Sequence, residues 1–260
     1  MGSAVGMDKD VMKRLLREAG IPVTKFIVLR KQDVILSDLP AGEAGTKDLA
    51  SLEMLHYAQH DKQFSYQKIV DELGLPFFVK PANLGSSVGV SKVHNKSEFG
   101  AAVNEAFTYD TKIIIEEYVA GREIECAVLG NDDPIASLPG EIIPKHEFYD
   151  YDAKYVDEDG AELVAPANLD ETLVKQVQEL SVKAFKTLCC EGMARVDFFV
   201  KKNSEVFVNE INTIPGFTKI SMYPKLWQAS GTSYTELIDR LIQLAIERFD
   251  REQKLKTTLE

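Results

Sequence analysis

Apolar and polar residues alternate with a period of two along several short stretches of the chain, and they repeat with a helical period along others. This alternation predicts strands at residues 90–93, 123–129, 192–200 and 205–212, and short continuous apolar runs predict further strands at residues 26–29, 77–79 and 112–115. The helical stretches predict helices that begin near Asp8, Tyr66, Ser97, Asp170 and either Thr232 or Ser233. In the first of these helices Asp8 is the expected N-cap, and Val11, Leu15 and Ala19 form the expected apolar face.

A glycine-rich stretch, Asn83-Leu84-Gly85-Ser86-Ser87-Val88-Gly89, separates two of the predicted strands, and Lys80 ends the first of them. Glycines allow backbone angles that turn main-chain N–H groups toward a ligand, and the serine hydroxyls and the lysine add further donors. Such donors suit the oxygens of a polyphosphate. The stretch is neither a P-loop nor a dinucleotide fingerprint, because a strand and not a helix follows it. An ordinary hairpin turn remains the alternative.

A second predicted hairpin, at residues 192–212, carries several charged side chains. Arg195 and Asp197 share one face of its first strand, and Glu210 and Asn212 share a face of its second. Pairing of the strands can bring Asp197 beside Glu210 and Asn212, and three oxygen ligands of this kind are typical of Mg²⁺ held at a nucleotide. A solvated strand face with ion pairs remains the alternative.

Two further segments could contribute to a site. Glu116 and Glu117 end an apolar strand, which is most often a solvated strand end, but the extended segment after them could offer backbone groups to an adenine. Glu123 could then accept hydrogen bonds from ribose hydroxyls. The long aromatic and acidic stretch from Pro139 to Pro166 lacks clear periodicity, and its aromatic content favours a packed lid over disorder.

Composition limits the partners. The 260 residues are 45% hydrophobic and 27% charged with a net charge of −11, which argues against nucleic acid or an anionic membrane. A bound nucleotide must therefore meet a local cluster of Lys, Arg and metal. The three cysteines have no metal-ligand spacing and indicate a reduced, cytosolic compartment. No apolar stretch approaches the length of a membrane span.

The motifs VKPANLGSSVGVSKV, ARVDFF and NEINTIPGFT, taken in this order, resemble those of ATP-grasp enzymes, and most closely those of D-alanine–D-alanine ligases. The resemblance extends from Met7 to about Phe249 and is weakest between Leu39 and Lys68. It implies an α+β ATP-grasp fold of two subdomains, with mainly antiparallel sheets flanked by helices. The central subdomain would span residues 1–120, and the C-terminal subdomain, with the metal site and the lid, residues 121–260.

The resemblance also implies how the ATP phosphates would be bound. Lys9 and Lys80 would contact them, and Ser87 and Gly89 would cover them from the glycine-rich loop. Lys154 would steady the transferring phosphate from the lid.

For the rest of the nucleotide, the resemblance implies that Glu116, Glu117 and Val119 hold the adenine and that Glu123 binds the ribose. Two Mg²⁺ ions, or Mn²⁺ in their place, would be ligated by the side chains of Asp197, Glu210 and Asn212.

The remaining implied roles concern the amino acids. Arg195 and the Gly216 backbone N–H would stabilise the oxyanion of a tetrahedral intermediate. The amino acids themselves would be oriented by Ser86 and Tyr155, and Ser221 and Met222 would meet the second carboxylate.

The implied activity is ATP-dependent ligation of two D-alanines for peptidoglycan, in a cytoplasmic protein whose full-length parent is a homodimer. A D-alanine–D-serine ligase is the first alternative, and an ATP-binding fragment without ligase activity is the second. A D-lactate-using relative is disfavoured, because Tyr155 stands where those enzymes tend to have histidine. Family members have a further N-terminal domain with a substrate-binding glutamate, so we expect this chain to be a truncated form with impaired activity.

Overall fold

The computed structural model describes residues 1–31, 34–36, 55–57, 65–144, 161–218 and 220–256. The helices are α1 (Gly2–Met7), α2 (Lys9–Glu18), α3 (Tyr66–Leu73), α4 (Lys96–Tyr109), α5 (Glu171–Thr187), α6 (Met222–Ala229) and α7 (Tyr234–Gln253). The first six strands are β1 (Phe26–Arg30), β2 (Val34–Leu36), β3 (Leu55–Tyr57), β4 (Phe77–Pro81), β5 (Ser91–Val93) and β6 (Lys112–Glu117). The others are β7 (Gly121–Gly130), β8 (Ile135–Ala136), β9 (Gly140–Pro144), β10 (Ala161–Val164), β11 (Gly192–Lys201) and β12 (Val206–Asn212).

The first large sheet has four strands in the order β1-β6-β4-β5, and all of its neighbouring strands are antiparallel. Its buried face carries Phe77, Ile113 and Ile115, which pack with Ile69 of α3 and Phe99 of α4 in one hydrophobic cluster. The predicted hairpin around the glycine-rich loop is confirmed as β4 and β5. Because side chains alternate across a strand, Lys80 and Glu116 lie on the opposite face, away from this cluster.

The second large sheet has six strands, with the path β10-β9-β7-β11-β12 and β8 paired to β7. One face packs against α5, with Val196 and Phe198 beside Val177 and Phe185 in a hydrophobic cluster. On the other face α6 and α7 cover only one end, where Ala127 and other apolar residues form a third cluster. Glu125 of β7 and Arg195 and Asp197 of β11 alternate with the residues of the α5 face, so they lie on the same face as the third cluster.

A β-bulge in the second hairpin decides which face Glu210 occupies. Val206 and Val208 point into the core, so strict alternation would send Glu210 into the core as well. The pairing passes from Asp197 opposite Glu210 to Phe198 opposite Val208, which leaves Asn209 as the extra residue. The bulge therefore places Glu210 on the same face as Asp197.

Helix α2 begins as predicted, but its buried face is not the predicted one. Asp8 is the N-cap, and its side chain accepts hydrogen bonds from the backbone N–H groups of the next turn. Met12 and Leu16 are fully buried and pack in the cluster of the second sheet, whereas Val11 and Leu15 are 38% and 40% exposed. The prediction failed because two buried lysines share the covered face, so that face is less apolar than the pattern suggested.

The division of the chain at residue 120 remains a prediction, although the apolar face of α2 packs with the second sheet.

A smaller correction concerns α4, whose N-cap is Asn95 and not Ser97: the Asn95 side chain accepts from Ser97 N at 3.0 Å. Within the described ranges, no helix is both long and apolar enough to cross a membrane.

We predict that Leu16→Ala destabilises the chain by about 2–5 kcal/mol, because it removes a fully buried side chain from the second cluster. Leu15→Ala, one residue away and 40% exposed, should change the free energy of unfolding by only about 0.5 kcal/mol. Urea unfolding of both variants checks the assignment. Equal losses, or a larger loss for Leu15→Ala, would show that the buried face of α2 is wrong.

Candidate functional site

The polar face of the first sheet brings Lys80 and Glu116 together. Phe78 pairs with Glu116 and Lys80 pairs with Ile114, so Lys80 and Glu116 are diagonal neighbours on adjacent strands. Their charged groups form an ion pair in which Lys80 Nζ meets Glu116 Oε2. Lys80 therefore stands at the end of β4, where the glycine-rich loop begins, with its ammonium group held by a carboxylate.

Glu116 is almost completely buried and has three partners. Its Oε1 atom forms an ion pair with Lys13 Nζ and accepts a hydrogen bond from Thr24 Oγ1. Burial alone would raise the pKa of this carboxyl group, but the charges of Lys13 and Lys80 outweigh burial and lower the pKa to about 2. Glu116 is thus a permanently ionised group between two lysines.

The glycine-rich loop has an unusual backbone. Ser86 and Ser87 have φ angles of 55° and 59°, and Gly89 has a φ of 67°. Left-handed conformations at two successive serines are strained, and such strain is concentrated at ligand-binding loops. Glycine is required at position 89, because a Cβ there would lie 2.6 Å from the Tyr109 ring.

Lys9 connects the loop to the second sheet. Its Nζ donates to the carbonyl oxygen of Leu84 at 2.5 Å and lies 3.8 Å from Glu210 Oε2. Lys9 is also 8% exposed, so its ammonium group is held between these two partners and not in bulk water. One lysine of α2 therefore connects the glycine-rich loop with the carboxylate of Glu210 on β12.

The carboxylates of the second sheet are cross-strand neighbours. Asp197 lies opposite Glu210 on β12 and opposite Glu125 on β7, while Arg195 lies opposite Asn212. The prediction that the hairpin places Asp197 beside Glu210 and Asn212 is confirmed in this register.

Arg195 is held by two carboxylates. Its Nε and Nη2 atoms donate to the two oxygens of Asp197 at 2.7 and 2.8 Å, and Nε lies 3.1 Å from Glu125 Oε2. Burial acts to lower the pKa of Arg195, but Asp197 and Glu125 outweigh it and raise the pKa, so the guanidinium stays charged. Asn212 Nδ2 also donates to Asp197, at 2.9 Å.

Asp197, Glu210 and Asn212 offer oxygen atoms of the kind that Mg²⁺ prefers. Among the described residues no three His, Cys, Asp or Glu side chains are grouped closely enough to hold a metal, and the third member of this set is the amide of Asn212. Both oxygens of Asp197 face Arg195, and a cation would have to share them with it. The donor set fits Mg²⁺ bound together with a nucleotide.

The residues expected at the adenosine lie around the end of β6. The Glu117 carboxylate accepts from Lys25 N at 2.7 Å, and Val119 is buried, so both positions would have to bind a base through the backbone. Glu123 lies on β7 opposite Ile142 and Phe199. In the same segment, Lys92 Nζ lies over the Tyr118 ring, 4.5 Å from the ring centroid.

The turn that follows β12 brings Gly216 and Ser221 together. Ser221 Oγ accepts from Thr218 N at 3.0 Å, and a Cβ at Gly216 would lie 2.9 Å from the same oxygen. The Met222 side chain is only 3% exposed and packs in the third cluster, so it can meet a substrate only through its backbone. Lys154 and Tyr155, the expected lid residues, lie outside the described part of the chain.

Sequence reasoning missed three residues of this site, namely Lys13, Thr24 and Glu125. Lys13 could have been found, because it lies one helical turn after Lys9 and so on the same face of α2. Glu125 could have been found by alternation from Glu123. Thr24 gave no signal, since its role depends on how β1 meets β6.

The lowered pKa of Glu116 predicts an acid-dependent stability. Its folded-state pKa of about 2 lies below the ordinary 4.5, so its contribution is complete above pH 4.5 and is lost as the pH falls through 2. The difference in free energy of unfolding between wild type and Glu116→Gln should therefore shrink by about 3 kcal/mol from pH 6 to pH 2. Urea titrations at several pH values measure it, and a difference that is independent of pH would contradict the buried pairing.

Comparison with known proteins shows which family this chain resembles. The family model described as "D-ala D-ala ligase C-terminus" matches residues 45–243. The D-alanine–D-alanine ligase of Oceanobacillus iheyensis is 51% identical over 99% of this chain and 63% of its own length, and D-alanine–D-alanine ligase A of Salmonella typhimurium is 49% identical over the whole chain and 64% of its own length.

Solved structures give the same result. The D-alanine–D-alanine ligase from Coxiella burnetii superposes with a TM-score of 0.76 at 43% identity, over 97% of this chain and 60% of that one. The VanG D-Ala:D-Ser ligase from Enterococcus faecalis gives a TM-score of 0.75 at 36% identity, over 94% of this chain and 62% of that one. The chain thus spans just over three fifths of the length of these relatives, and the predicted ATP-grasp fold is confirmed. The chain belongs to the D-alanine–D-alanine ligase C-terminal family.

Proposed function

We propose that this chain binds Mg²⁺ and ATP between its two large sheets and supplies the nucleotide-binding part of a ligase that joins two D-alanines. The observation that carries the proposal is the position of Lys9, between the glycine-rich loop and Glu210. Positively charged groups lie beside carboxylates there. A net acidic protein needs such a local cluster, together with bound cations, to hold ATP.

The phosphates would lie along Lys9, Lys80 and the N–H groups around Ser87 and Gly89. Asp197, Glu210 and Asn212 would hold the Mg²⁺ ions, which neutralise phosphate charge when bound. Both lysines are already held at carboxylates, so little reorganisation would precede phosphate binding. The adenine would meet the backbone between Glu117 and Val119, and Glu123 would accept from the ribose.

The chemistry would proceed through an acylphosphate. A D-alanine carboxylate oxygen attacks the γ-phosphorus, and ADP leaves. The neutral amine of the second D-alanine then attacks the acyl carbon, phosphate leaves with the C–O bond electrons, and the departing phosphate takes the proton that the nitrogen loses. The charged Arg195 and the Gly216 N–H would stabilise the oxyanion, where one such donor is typically worth about 3 kcal/mol. Ser86, Ser221 and the backbone of Met222 would orient the two amino acids.

Several parts of this proposal rest on the family alone. Lys154 and Tyr155 would act from the lid, outside the described residues. A cytoplasmic location, a homodimeric parent and the reduced activity expected of this chain by itself stay predictions. D-Serine as the second substrate is supported by the likeness to a protein named a D-Ala:D-Ser ligase. Nucleotide binding without ligation is the remaining alternative.

The metal assignment predicts that Asp197→Asn and Glu210→Gln each weaken Mg²⁺-dependent ATP binding by tenfold or more, on the order of 1.4 kcal/mol. The reason is the loss of an anionic ligand to a cation that bridges protein and phosphates. Calorimetry with and without Mg²⁺ measures the effect.

The matched control is Glu205→Gln, an exposed acid in the turn of the same hairpin, which should leave the affinity unchanged. Unchanged Mg²⁺·ATP affinity in both site variants would overturn the metal assignment.

The choice of substrate can be tested by phosphate release with D-alanine, D-serine or D-lactate, alongside direct detection of the product. The proposal expects phosphate release and dipeptide formation with D-alanine above the rate without amino acid. Release with D-serine added to D-alanine, and little with D-alanine alone, would select the D-serine alternative. ATP binding with no product under any condition would leave the chain as a nucleotide-binding unit.

A further inference from the structure

Lys13 is a lysine with a completely buried side chain and no role in the proposed chemistry. It lies on the covered face of α2, between the fully buried Met12 and Leu16 along the chain. Its Nζ donates to Thr24 Oγ1 at 2.8 Å and forms an ion pair with Glu116 Oε1, and Thr24 Oγ1 in turn donates to the same carboxylate oxygen. Lys13, Thr24 and Glu116 therefore form a closed triangle of polar contacts.

The two oxygens of Glu116 have separate partners. Oε1 forms an ion pair with Lys13 and accepts a hydrogen bond from Thr24. Oε2 forms an ion pair with Lys80, which contacts phosphate in the proposed function. Because both oxygens belong to one planar carboxylate, the two contacts that hold Oε1 limit the positions of Oε2, and Lys13 thereby restricts where Lys80 Nζ can lie. A buried charge costs much free energy, and both lysines depend on this one carboxylate for compensation.

The triangle also connects the two halves of the structure. The neighbours of Lys13 on α2 pack in the cluster of the second sheet, whereas Lys80 and Glu116 lie on strands of the first sheet. The backbone of α2 contacts the first sheet as well, through Lys9 N and the carbonyl oxygen of Ala82 at 2.9 Å. Lys13 thus influences the position of Lys80 on the first sheet, although Lys13 itself belongs to a helix that packs on the second sheet.

We propose that Lys13 is a positioning residue that holds Lys80, through Glu116, at the place where the nucleotide phosphates bind. The inference rests on the proposed nucleotide site and adds a residue to it. Burial lowers the pKa of Lys13, and the ion pair with Glu116 opposes that shift. With both lysines protonated the three groups carry a net charge of +1, which favours a polyphosphate. Without Lys13 the pair of Glu116 and Lys80 is neutral, and the carboxylate can draw Lys80 away from the ligand.

The first test compares ATP with adenosine. Lys13→Met should lower the affinity for Mg²⁺·ATP by tenfold or more and change that for adenosine by less than twofold, because the lost interaction acts on phosphate alone. Thr24→Val, which removes only the hydroxyl group, should act in the same direction with a smaller effect. Lys96→Met removes an equal charge from the exposed start of α4 and should change neither affinity.

A double-mutant cycle separates positioning from packing. If Lys13 acts through Glu116, Lys13→Met should have little further effect on ATP affinity in a Glu116→Gln background, whereas a packing role would give additive losses. Additive losses, an equal loss for adenosine, or unchanged ATP affinity in Lys13→Met would overturn the proposal.

Failure of the proposed function would be recognised separately, since the wild-type chain would then bind no Mg²⁺·ATP. The contact itself is tested without nucleotide by ¹³C NMR titration of the Glu116 carboxylate, assigned with Glu116→Gln. The midpoint should lie near 2 in wild type and rise in Lys13→Met. If Lys13→Met fails to fold, Thr24→Val provides the same comparison. An unchanged midpoint would overturn the positioning role whatever the nucleotide result.

Discussion

The carboxylate of Glu116 is the interaction on which the arrangement of the site depends. It is buried together with Lys13, and it forms ion pairs with that lysine and with the partly buried Lys80, whose charges it compensates. The three side chains come from α2, β4 and β6, so one ionised group fixes the relation between a helix and two strands. A site of this kind is preorganised for anions, because its cations are in place before a ligand arrives.

The second sheet presents carboxylates, whereas the group formed by Lys13, Glu116 and Lys80 contains two lysines. Its carboxylates are grouped by strand register, since Glu125, Asp197 and Glu210 are direct neighbours across β7, β11 and β12. The bulge at Asn209 is what turns Glu210 toward Asp197 and away from the hydrophobic core. Arg195, held by Asp197 and Glu125, keeps one carboxylate partner even if Asp197 turns to a cation. Glu125 therefore gives the arginine a support that is independent of the metal.

Much of the fold was predictable, because the sequence of each hairpin shows both a strand pattern and turn residues between the strands. Lys80, the glycine-rich loop and the charged face of β11 were found in this way. The covered face of α2 was not, since Lys13 breaks the apolar pattern of the residues that are buried. The position of Glu210 agreed with the prediction only because of the bulge, which strict alternation from Val206 and Val208 does not give. The ion pairs of Glu116 depend on contacts between distant elements, and no local pattern encodes them.

The central claim is that ATP and Mg²⁺ bind where Lys9 of α2 and Lys80 of the first sheet face the carboxylates of the second sheet. A crystal structure of the chain with Mg²⁺ and a non-hydrolysable ATP analogue tests it most directly. The account predicts phosphate oxygens in contact with Lys9 and Lys80, and cations between those oxygens and Asp197, Glu210 and Asn212. A nucleotide bound elsewhere, or one whose cations touch none of these three side chains, would contradict it.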